Sequence, residues 1–392
     1  MTVSVAGSVT VNPDETTDAA AWFARCYARE PEGVWFAPGR VNLIGGPDYT
    51  EMFVLPFALG YGVSAAAARR PDRRIALVSR QAGGEPVLID IDALEPGSVT
   101  GWAAYPAGMA WALRQAGHLA GGADVAIDAD LPAGAGLSSS AALECSVALA
   151  LTELYGLSVP TRELAALARR AENDFVGVPS GIMDQIAALR GQAGHALLLD
   201  CQTGAAAPVP LDPAAAGLTL VIIDTGTRRA HTDGRYAARR RACDQAASAL
   251  GVRVLRGVAG DEELVRLAEP SLQRVARHVL SDYRRARQAA ELLESGDQAA
   301  LGPLLTASHR SLRDDFGFSW PQADEAVEAA TEAGAAGARM TGGGFAGCVI
   351  ALVPADAAAA VRQAVTERFA RHHWPPPRYL DAVPSDAARR LR

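Results

Sequence analysis

The stretch LPAGAGLSSSAAL at residues 131–143 combines residue types that can hold a phosphate group. Gly134 and Gly136 let the backbone turn tightly and approach a ligand closely. Serines at residues 138–140 follow, just before a run of good helix formers. Hydroxyls and free N–H groups would then meet at the positive end of a helix, so the stretch predicts a phosphate cradle without a charged side chain. The alternative is a plain strand–turn–helix connection with a serine cap.

Arg40, Glu172 and Asp184 are charged residues in positions where the surrounding pattern makes a charge unusual. Arg40 interrupts an apolar, strand-like stretch, where an unpaired charge is rarely buried. Glu172 falls near the end of a predicted helix, where the dipole disfavours a carboxylate unless a partner or a cation compensates it. Asp184 stands among apolar neighbours after a Pro-Ser-Gly turn. Two structural alternatives stay open: a solvated hairpin for Arg40 and a helix N-cap for Asp184.

The composition excludes several classes of function. The chain has 392 residues, enough for two domains, and its formal net charge of −7 argues against binding a nucleic-acid backbone. All 37 lysine-or-arginine positions are arginine, which excludes a GxxxxGK[ST] loop, a protein-kinase lysine and a lysine Schiff base. The five cysteines are scattered without a CxxC pair, as in proteins with reduced thiols. With no signal-peptide pattern and no run of 18 apolar residues, the sequence predicts a cytoplasmic protein that uses no membrane.

Hydrophobic periodicity predicts the elements that would position these residues. The predicted strands are 34–36, 41–44, 53–59, 62–67, 74–78, 86–91, 123–129, 196–200 and 218–224, and the predicted helices are 17–28, 102–116, 141–151, 161–173, 236–250, 262–268, 272–294, 298–313 and 322–333. The glycines at 342–344 lie between two strand-like pieces, where they permit close approach of a second element or a ligand. The Pro/Ala-rich segment between residues 200 and 218 predicts a domain joint.

Six ordered motifs resemble the superfamily of galactokinase, homoserine kinase, mevalonate kinase and phosphomevalonate kinase, and most closely its galactokinase branch. The resemblance covers residues 20–391, almost the whole chain. The motifs are APGRVNLIG with the following DY and FVLP, LPAGAGLSSSAALE, VGVPSGIMDQ, TGTRRAHTDGRYAARRRAC, SHRSLRDDF and ARMTGGGFAGCVIAL.

The resemblance implies an ATP-dependent kinase that phosphorylates the anomeric hydroxyl of a galactose-type sugar. It implies that Asp184 is the catalytic base, that Arg40 assists it, and that Ser140 and Glu172 hold Mg²⁺. Further positions follow from the motifs: ATP contacts at Pro132, Gly134, Gly136, Leu137, Ser138, Ser139, Ser140 and Trp102, with Tyr105 beside the adenine, and sugar contacts at Arg40, Asp48, Gly181, Asp184 and Tyr236.

One loop departs from the family pattern, and it leaves the substrate open at this stage. Galactokinases usually read LIGEHTDYNGGFVLP, whereas this chain reads LIGGPDYTEMFVLP, so Gly46 and Pro47 replace an acidic residue and often a histidine. Polar groups of this kind determine selectivity for a hydroxyl. A modified, deoxygenated or anionic sugar or a sugar-like cyclitol therefore stays an alternative, with Arg228, Arg229 and Arg235 as candidate partners of an anion. A sugar and ATP sensor without catalysis is a third hypothesis.

The fold class implied is α/β (α+β), in the two-domain arrangement of the GHMP kinases with the active site in the cleft between the domains. The expected domains are a ribosomal-protein-S5-domain-2-like domain at residues 1–205 and a ferredoxin-like α/β domain at residues 206–392. The first would supply the phosphate cradle and the base, and the second would close the site. The expected partner is a small-molecule sugar, with no nucleic acid or membrane, in a monomer or small homo-oligomer.

Overall fold

The computed structural model describes residues 18–83, 85–132, 134–228 and 234–392, which form two β-sheets and the helices packed on them. The strands are β1 (Gly33–Gly45), β2 (Phe53–Arg70), β3 (Arg74–Ser79), β4 (Val87–Asp90), β5 (Gly122–Ala129), β6 (His195–Asp200), β7 (Ala206–Pro210), β8 (Leu218–Asp224), β9 (Gly337–Thr341), β10 (Cys348–Pro354), β11 (Arg378–Asp381) and β12 (Arg389–Arg390). The helices are α1 (Ala19–Tyr27), α2 (Ala104–Gln115), α3 (Ser139–Glu153), α4 (Thr161–Arg170), α5 (Met183–Arg190), α6 (Arg235–Leu250), α7 (Pro270–Glu294), α8 (Leu301–Ser311), α9 (Pro321–Glu332) and α10 (Ala358–Arg371).

The first sheet has the strand order β12-β1-β2-β5-β3-β4, and β6 extends it by pairing with the start of β2 and with β7. Neighbouring strands are antiparallel except for the parallel pair β3–β5. Successive side chains of a strand point to opposite faces. On β2, Ala65 and Ala67 therefore face the main core, while Ala66 and Ala68 face Phe23 of α1. Both faces are covered, which explains the nearly continuous apolar sequence of this strand.

The second sheet is antiparallel, in the order β11-β8-β10-β9. Alternation again separates its two faces. Val221 and Ile223 pack into a core that includes residues of α9 and α10, whereas Leu220 and Ile222 join the core beneath the first sheet. Because one hydrophobic core runs from the first sheet to a face of the second, the two sheets are packed together along that face.

Glycines allow the two sheets to meet at backbone distance beside the 131–143 stretch. A Cβ atom at Gly342, whose φ is +87°, would lie 2.9 Å from the carbonyl oxygen of Gly136. One at Gly347 would lie 2.9 Å from the carbonyl oxygen of Ala135. The close approach predicted for the 342–344 glycines is thus confirmed, and the element they approach is the predicted phosphate cradle.

Side chains on β9 fasten the same junction. The Arg339 Nη1 donates to the carbonyl oxygens of Asn42 and Leu43, at 3.1 Å each. The Thr341 hydroxyl donates to the Asn42 carbonyl oxygen at 3.0 Å. These bonds satisfy carbonyl groups of β1 and fix the second sheet against the strand that carries Arg40.

Most predicted elements are present, with two informative differences. The predicted helix 262–268 is a 3₁₀ segment, Asp261–Arg266, because the preceding Gly260 is extended and α7 begins with its own proline at residue 270. The predicted helix 161–173 changes after Arg170 into a π-helical turn, Ala171–Val176.

Strand β7 pairs with the first sheet, and so does β12 from the far end of the chain. The division at residues 205 and 206 stays a prediction.

No helix in the part of the chain that the structure describes is long and apolar enough to cross a membrane.

Replacing Gly342 by alanine should destabilise the fold more than the same change at Gly334. Both glycines have a positive φ, +87° and +102°, but a Cβ at Gly334 meets nothing within 4 Å. The two variants therefore share the backbone strain, and only Gly342→Ala adds a clash with the Gly136 carbonyl. We expect an extra loss of about 1–3 kcal/mol in the free energy of unfolding, measured by urea denaturation. Equal losses in the two variants would contradict the close packing.

Candidate active site

A cavity of about 590 Å³ lies where the two sheets meet, and it collects nearly all the residues that the sequence analysis singled out. The predicted site residues that line it are Arg40, Asp48, Trp102, Tyr105, Gly134, Gly136, Ser138, Ser139, Ser140, Glu172, Gly181, Asp184 and Tyr236. Its size suits a small-molecule ligand. Residues separated by up to 196 positions in the chain thus form one site.

Arg40 and Asp184 form a two-pronged ion pair at the centre of the site. The Arg40 Nε donates to Asp184 Oδ1 at 2.8 Å and the Nη2 donates to Oδ2 at 2.9 Å. The remaining Nη1 donates to the Gly136 carbonyl oxygen at 2.8 Å. Arg40 is only 5% exposed, so the solvated-hairpin alternative is wrong. One guanidinium fixes both the carboxylate and the glycine loop, and it balances the carboxylate charge.

Asp184 is the second residue of α5, and Ile182 occupies the N-cap position. The N-cap alternative for Asp184 is therefore wrong. Its Oδ2 instead accepts a hydrogen bond from the Ser138 hydroxyl at 2.6 Å. This carboxylate faces the cavity from the first turn of its helix, where the helix dipole favours negative charge.

The glycine–serine loop has the backbone conformation of a ligand cradle. Gly134 and Gly136 have φ values of +69° and +78°. Ser138 occupies the N-cap position of α3 with φ +62°, and its side chain makes no capping bond, so the serine-cap alternative is wrong. The N–H groups at the start of α3 remain available beside the cavity, together with the hydroxyls of the serines.

Glu172 lies on the π-helical turn that follows α4, and this turn directs it into the site. π-bulges of this kind are frequent at functional sites. The carboxylate accepts hydrogen bonds from Ser140 Oγ at 3.1 Å, from Ser180 Oγ at 2.8 Å and from Gln185 Nε2 at 3.0 Å. Burial, and next the nearby Asp184 charge, raise the pKa of Glu172. A cation beside Ser140 and Glu172 would relieve this repulsion.

Asp48 is the third carboxylate of the cavity, at the start of the 3₁₀ turn Asp48–Thr50. Its Oδ2 accepts the backbone N–H of Met183 at 3.4 Å. A Cβ at Gly181 would lie 1.9 Å from the same oxygen, so only glycine allows this contact. Burial, followed by the Asp184 charge, raises the pKa of Asp48 to about 6. Tyr236, on α6, lines the same cavity and packs edge-on against Tyr49, with ring centroids 5.3 Å apart.

Four residues named in the sequence analysis, Pro132, Leu137, Arg228 and Arg235, are not among the residues that line the cavity. The Leu137 side chain is in the core, and its carbonyl oxygen accepts the Arg40 backbone N–H at 3.1 Å, so only its backbone N–H could reach a nucleotide. The Pro132 carbonyl oxygen accepts the N–H of Ala135 within the loop. Arg228 is paired with Asp224, and Arg235 stacks on a phenylalanine ring. The predicted anion partner Arg229 lies outside the described residues.

Several site residues were not found by sequence reasoning. Ser180 and Gln185 both bind the Glu172 carboxylate, and Met183 supplies the N–H that binds Asp48. All three lie in the VGVPSGIMDQ motif, so a signal was present, but nothing in the sequence shows which side chain turns inward. The apolar wall of Leu312, Phe318 and Met340 comes from distant segments, and its residues read as ordinary core.

Three family profiles match this chain. The profile described as GHMP kinases N terminal domain matches residues 104–192, and the profile described as GHMP kinases C terminal matches residues 289–371. The profile described as Galactokinase galactose-binding signature matches residues 21–69, which include Arg40, Asp48 and the loop with Gly46 and Pro47.

Similar proteins of known name cover almost the whole chain. The galactokinase of Streptomyces coelicolor is 48% identical over 374 residues, 94% of this chain and 97% of that protein. The galactokinase of Mycobacterium tuberculosis is 46% identical over 332 residues, 84% of this chain and 91% of that protein. The crystal structure of Lactococcus lactis galactokinase complexed with galactose superposes with a TM-score of 0.89 at 32% identity, over 95% of this chain and 98% of that one. A Methanococcus jannaschii mevalonate kinase shares the fold alone, at TM-score 0.63 and 15% identity.

Proposed function

The chain belongs to the galactokinase family of the GHMP kinases, and on this premise we propose how its residues carry out the reaction. That reaction is the ATP-dependent phosphorylation of galactose to galactose 1-phosphate. The predicted fold class, enzyme class and galactokinase function are confirmed. The selectivity against modified sugars stays a prediction. The residue roles below are our proposal, and the contact that carries them is the Arg40–Asp184–Ser138 cluster.

We assign the base to Asp184. Its carboxylate faces the cavity, is held in one orientation by Arg40 and Ser138, and lies on the same loop–helix junction as the cradle. A carboxylate so placed can accept the proton of the anomeric hydroxyl as its oxygen attacks the transferred phosphorus atom. Arg40 then keeps one positive charge beside the reacting groups, which stabilises negative charge that develops there.

ATP is bound, in this proposal, along the glycine–serine loop. Gly134, Gly136 and the serines at 138–140 would hold its phosphates by backbone N–H groups and hydroxyls, which take the place of the absent lysine. Trp102 and Tyr105 line the same cavity together with apolar residues of the first sheet, as a pocket for the adenine requires.

The residues at the cradle also suit Mg²⁺. Ser140 Oγ and Glu172 Oε1 lie 3.1 Å apart, and both are hard oxygen donors. Glu172 is buried, and the donors described above for its carboxylate are two hydroxyls and an amide, which are neutral. Mg²⁺ is commonly held by one or two carboxylates together with substrate phosphates. When bound, the ion would neutralise charge on the phosphates. We therefore propose Ser140 and Glu172 as its protein ligands.

The sugar would lie between Asp48, Gly181 and Tyr236. The Asp48 carboxylate can accept a hydrogen bond from a sugar hydroxyl. The absence of a side chain at Gly181 leaves space for that carboxylate. We also keep two expectations as proposals: a monomer or small homo-oligomer, and a cytoplasmic location, which the five free thiols support.

A coupled ADP-release assay tests the proposed substrate. We expect galactose to give the highest kcat/KM in a panel with N-acetylgalactosamine, arabinose, galacturonic acid and a phosphorylated cyclitol. A higher kcat/KM for one of the other compounds would overturn the assignment. Tight sugar binding without turnover would favour the sensor.

Asp184→Asn should remove turnover while leaving nucleotide binding almost intact. The amide cannot accept the proton, so kcat should fall by about 10²–10⁴-fold. The affinity for a non-hydrolysable ATP analogue, measured by calorimetry, should change by less than about threefold. The exposed Asp174, as Asp174→Asn, is the matched control and should keep the normal kcat. A near-normal kcat in Asp184→Asn would exclude this residue as the base.

The rate should depend on the ionisation of Asp48. Because its pKa is raised to about 6, the fraction of carboxylate falls as the pH drops below that value. We expect kcat/KM for galactose to decrease by about tenfold per pH unit well below pH 6. In Asp48→Asn, kcat/KM should be lower throughout but should lack this dependence. An unchanged acid limb in the variant would show that another group titrates.

A further inference from the structure

The loop between β1 and β2, residues 46–52, carries Asp48 to the cavity. The 3₁₀ turn Asp48–Thr50 ends at Glu51, whose backbone N–H donates to the Asp48 carbonyl oxygen at 3.0 Å. Glu51 has φ +59°, a left-handed conformation that residues other than glycine seldom adopt. Such a conformation persists only where surrounding contacts hold it. The end of this loop therefore depends on its contacts with neighbouring segments.

Arg256 supplies one of these contacts from outside the cavity. It lies on the 3₁₀ turn Leu255–Gly257, and its Nη1 donates to the Glu51 carbonyl oxygen at 3.0 Å. The same nitrogen donates to Asp200 Oδ1 at 2.5 Å, and Nη2 donates to Asp200 Oδ2 at 3.2 Å. Two-pronged pairs of this kind fix the orientation of a guanidinium. Asp200, at the end of β6, thus orients the group that binds the end of the loop.

Two stacked aromatic rings restrict the same guanidinium. Phe53 begins β2 and Tyr283 lies on α7, and their ring centroids are 5.6 Å apart. The Arg256 Cζ lies 5.0 Å from the Phe53 centroid and 5.9 Å from the Tyr283 centroid, within the range of a cation–π interaction. The side chains of Arg256 and Asp200 are only 21% and 14% exposed. This ion pair is therefore held more firmly than an ordinary surface pair.

We propose that Arg256 is a positioning residue for the sugar, which holds the Asp48 carboxylate in place through its hydrogen bond to the Glu51 carbonyl oxygen. Without this bond, Glu51 can leave the left-handed conformation. The turn that its N–H closes on Asp48 would then change as well. The inference rests on the proposed sugar contact of Asp48. Because that contact binds the sugar before and during the transfer, its loss should raise the KM for galactose more than it lowers kcat.

One competing explanation is that Arg256 only stabilises the fold. Arg70 provides the matched control, because its Nε and Nη2 form a two-pronged pair with Asp72 at 2.8 and 2.9 Å. Its side chain is 24% exposed, close to the value for Arg256, and neither Arg70 nor Asp72 lines the cavity. Arg70→Ala therefore removes a comparable ion pair, and it should change the stability without changing the KM for galactose.

A second competing explanation is that the positive charge of Arg256 acts on Asp48 at a distance. Arg253 tests this, because it is another cation beside Glu51. Its Nη1 donates to Glu51 Oε1 at 2.8 Å, and its side chain is 65% exposed. Arg253→Ala removes a charge from the same place but leaves the bond to the carbonyl oxygen. Exposed pairs contribute little, so this variant should keep the normal KM for galactose.

Steady-state kinetics and calorimetric titration with galactose separate these cases. We expect Arg256→Ala to raise both the KM and the Kd for galactose by about tenfold, the loss expected for a hydrogen bond from a charged donor. In the same variant, kcat and the KM for ATP should change by less than about threefold. In Arg70→Ala and Arg253→Ala, the KM and the Kd for galactose should stay within about twofold of the normal values.

A second variant tests the partner that orients Arg256. Asp200→Ala should raise the KM for galactose as Arg256→Ala does, because the free guanidinium no longer has to point at the Glu51 carbonyl oxygen. The double variant should be no worse than either single variant, since both remove the same interaction. If Arg256→Ala does not fold, as seen by circular dichroism, the Asp200→Ala result decides.

Three results would overturn the inference: a normal KM for galactose in Arg256→Ala and Asp200→Ala, an equal rise in either control variant, or an equal rise in the KM values for galactose and ATP. Asp48→Asn tests the premise separately. If it leaves the Kd for galactose unchanged, the proposed sugar contact is wrong. If it raises that Kd whereas Arg256→Ala does not, only the role of Arg256 is wrong.

Discussion

The buried Arg40 guanidinium is the interaction on which the site depends. Its three donors reach the Asp184 carboxylate and the Gly136 carbonyl oxygen, so one side chain on β1 fixes both the proposed base and the proposed phosphate cradle. Removing one partner of a buried, hydrogen-bonded pair leaves the other charge uncompensated, which is far more costly than losing a surface pair. The same bonds hold the proposed base in one orientation, and such preorganisation would reduce the reorganisation required at the moment of transfer.

Close backbone contact between the two sheets supplies the second constraint. The cradle is fixed from the first sheet by Arg40 and from the second sheet by the glycines at 342 and 347. Arg339 and Thr341 add hydrogen bonds to β1 at the same junction. The loop that would hold the phosphates is therefore positioned by both halves of the chain. A side chain at either glycine would separate the surfaces that form the cavity.

The sequence predicted the chemistry better than it predicted the geometry. Arg40, Glu172 and Asp184 were recognisable because each is a charge in a place where local rules disfavour one, and the structure brings all three to one cavity. The strands and most helices followed from periodicity. The π-helical turn under Glu172, the Ser138 bond to Asp184 and the Gln185 contact depend on how side chains turn in tertiary packing. The pairing of β12 with β1 joins residues more than 350 positions apart, which no local pattern encodes.

The distribution of charge in the cavity fits the two ligands that we propose for it. Asp48, Glu172 and Asp184 line one cavity, and burial, followed by the Asp184 charge, raises the pKa values of Asp48 and Glu172. Arg40 forms its ion pair with Asp184, so its positive charge compensates that carboxylate first. The hydroxyl and amide donors on Glu172 are neutral, and so is the Met183 N–H that donates to Asp48. A cation bound together with the nucleotide would compensate the charge of Glu172. Sugar hydroxyls would donate hydrogen bonds to Asp48. Each ligand would therefore relieve the cost of a buried carboxylate charge. The binding energy gained in this way would favour bringing the phosphoryl group and its acceptor together.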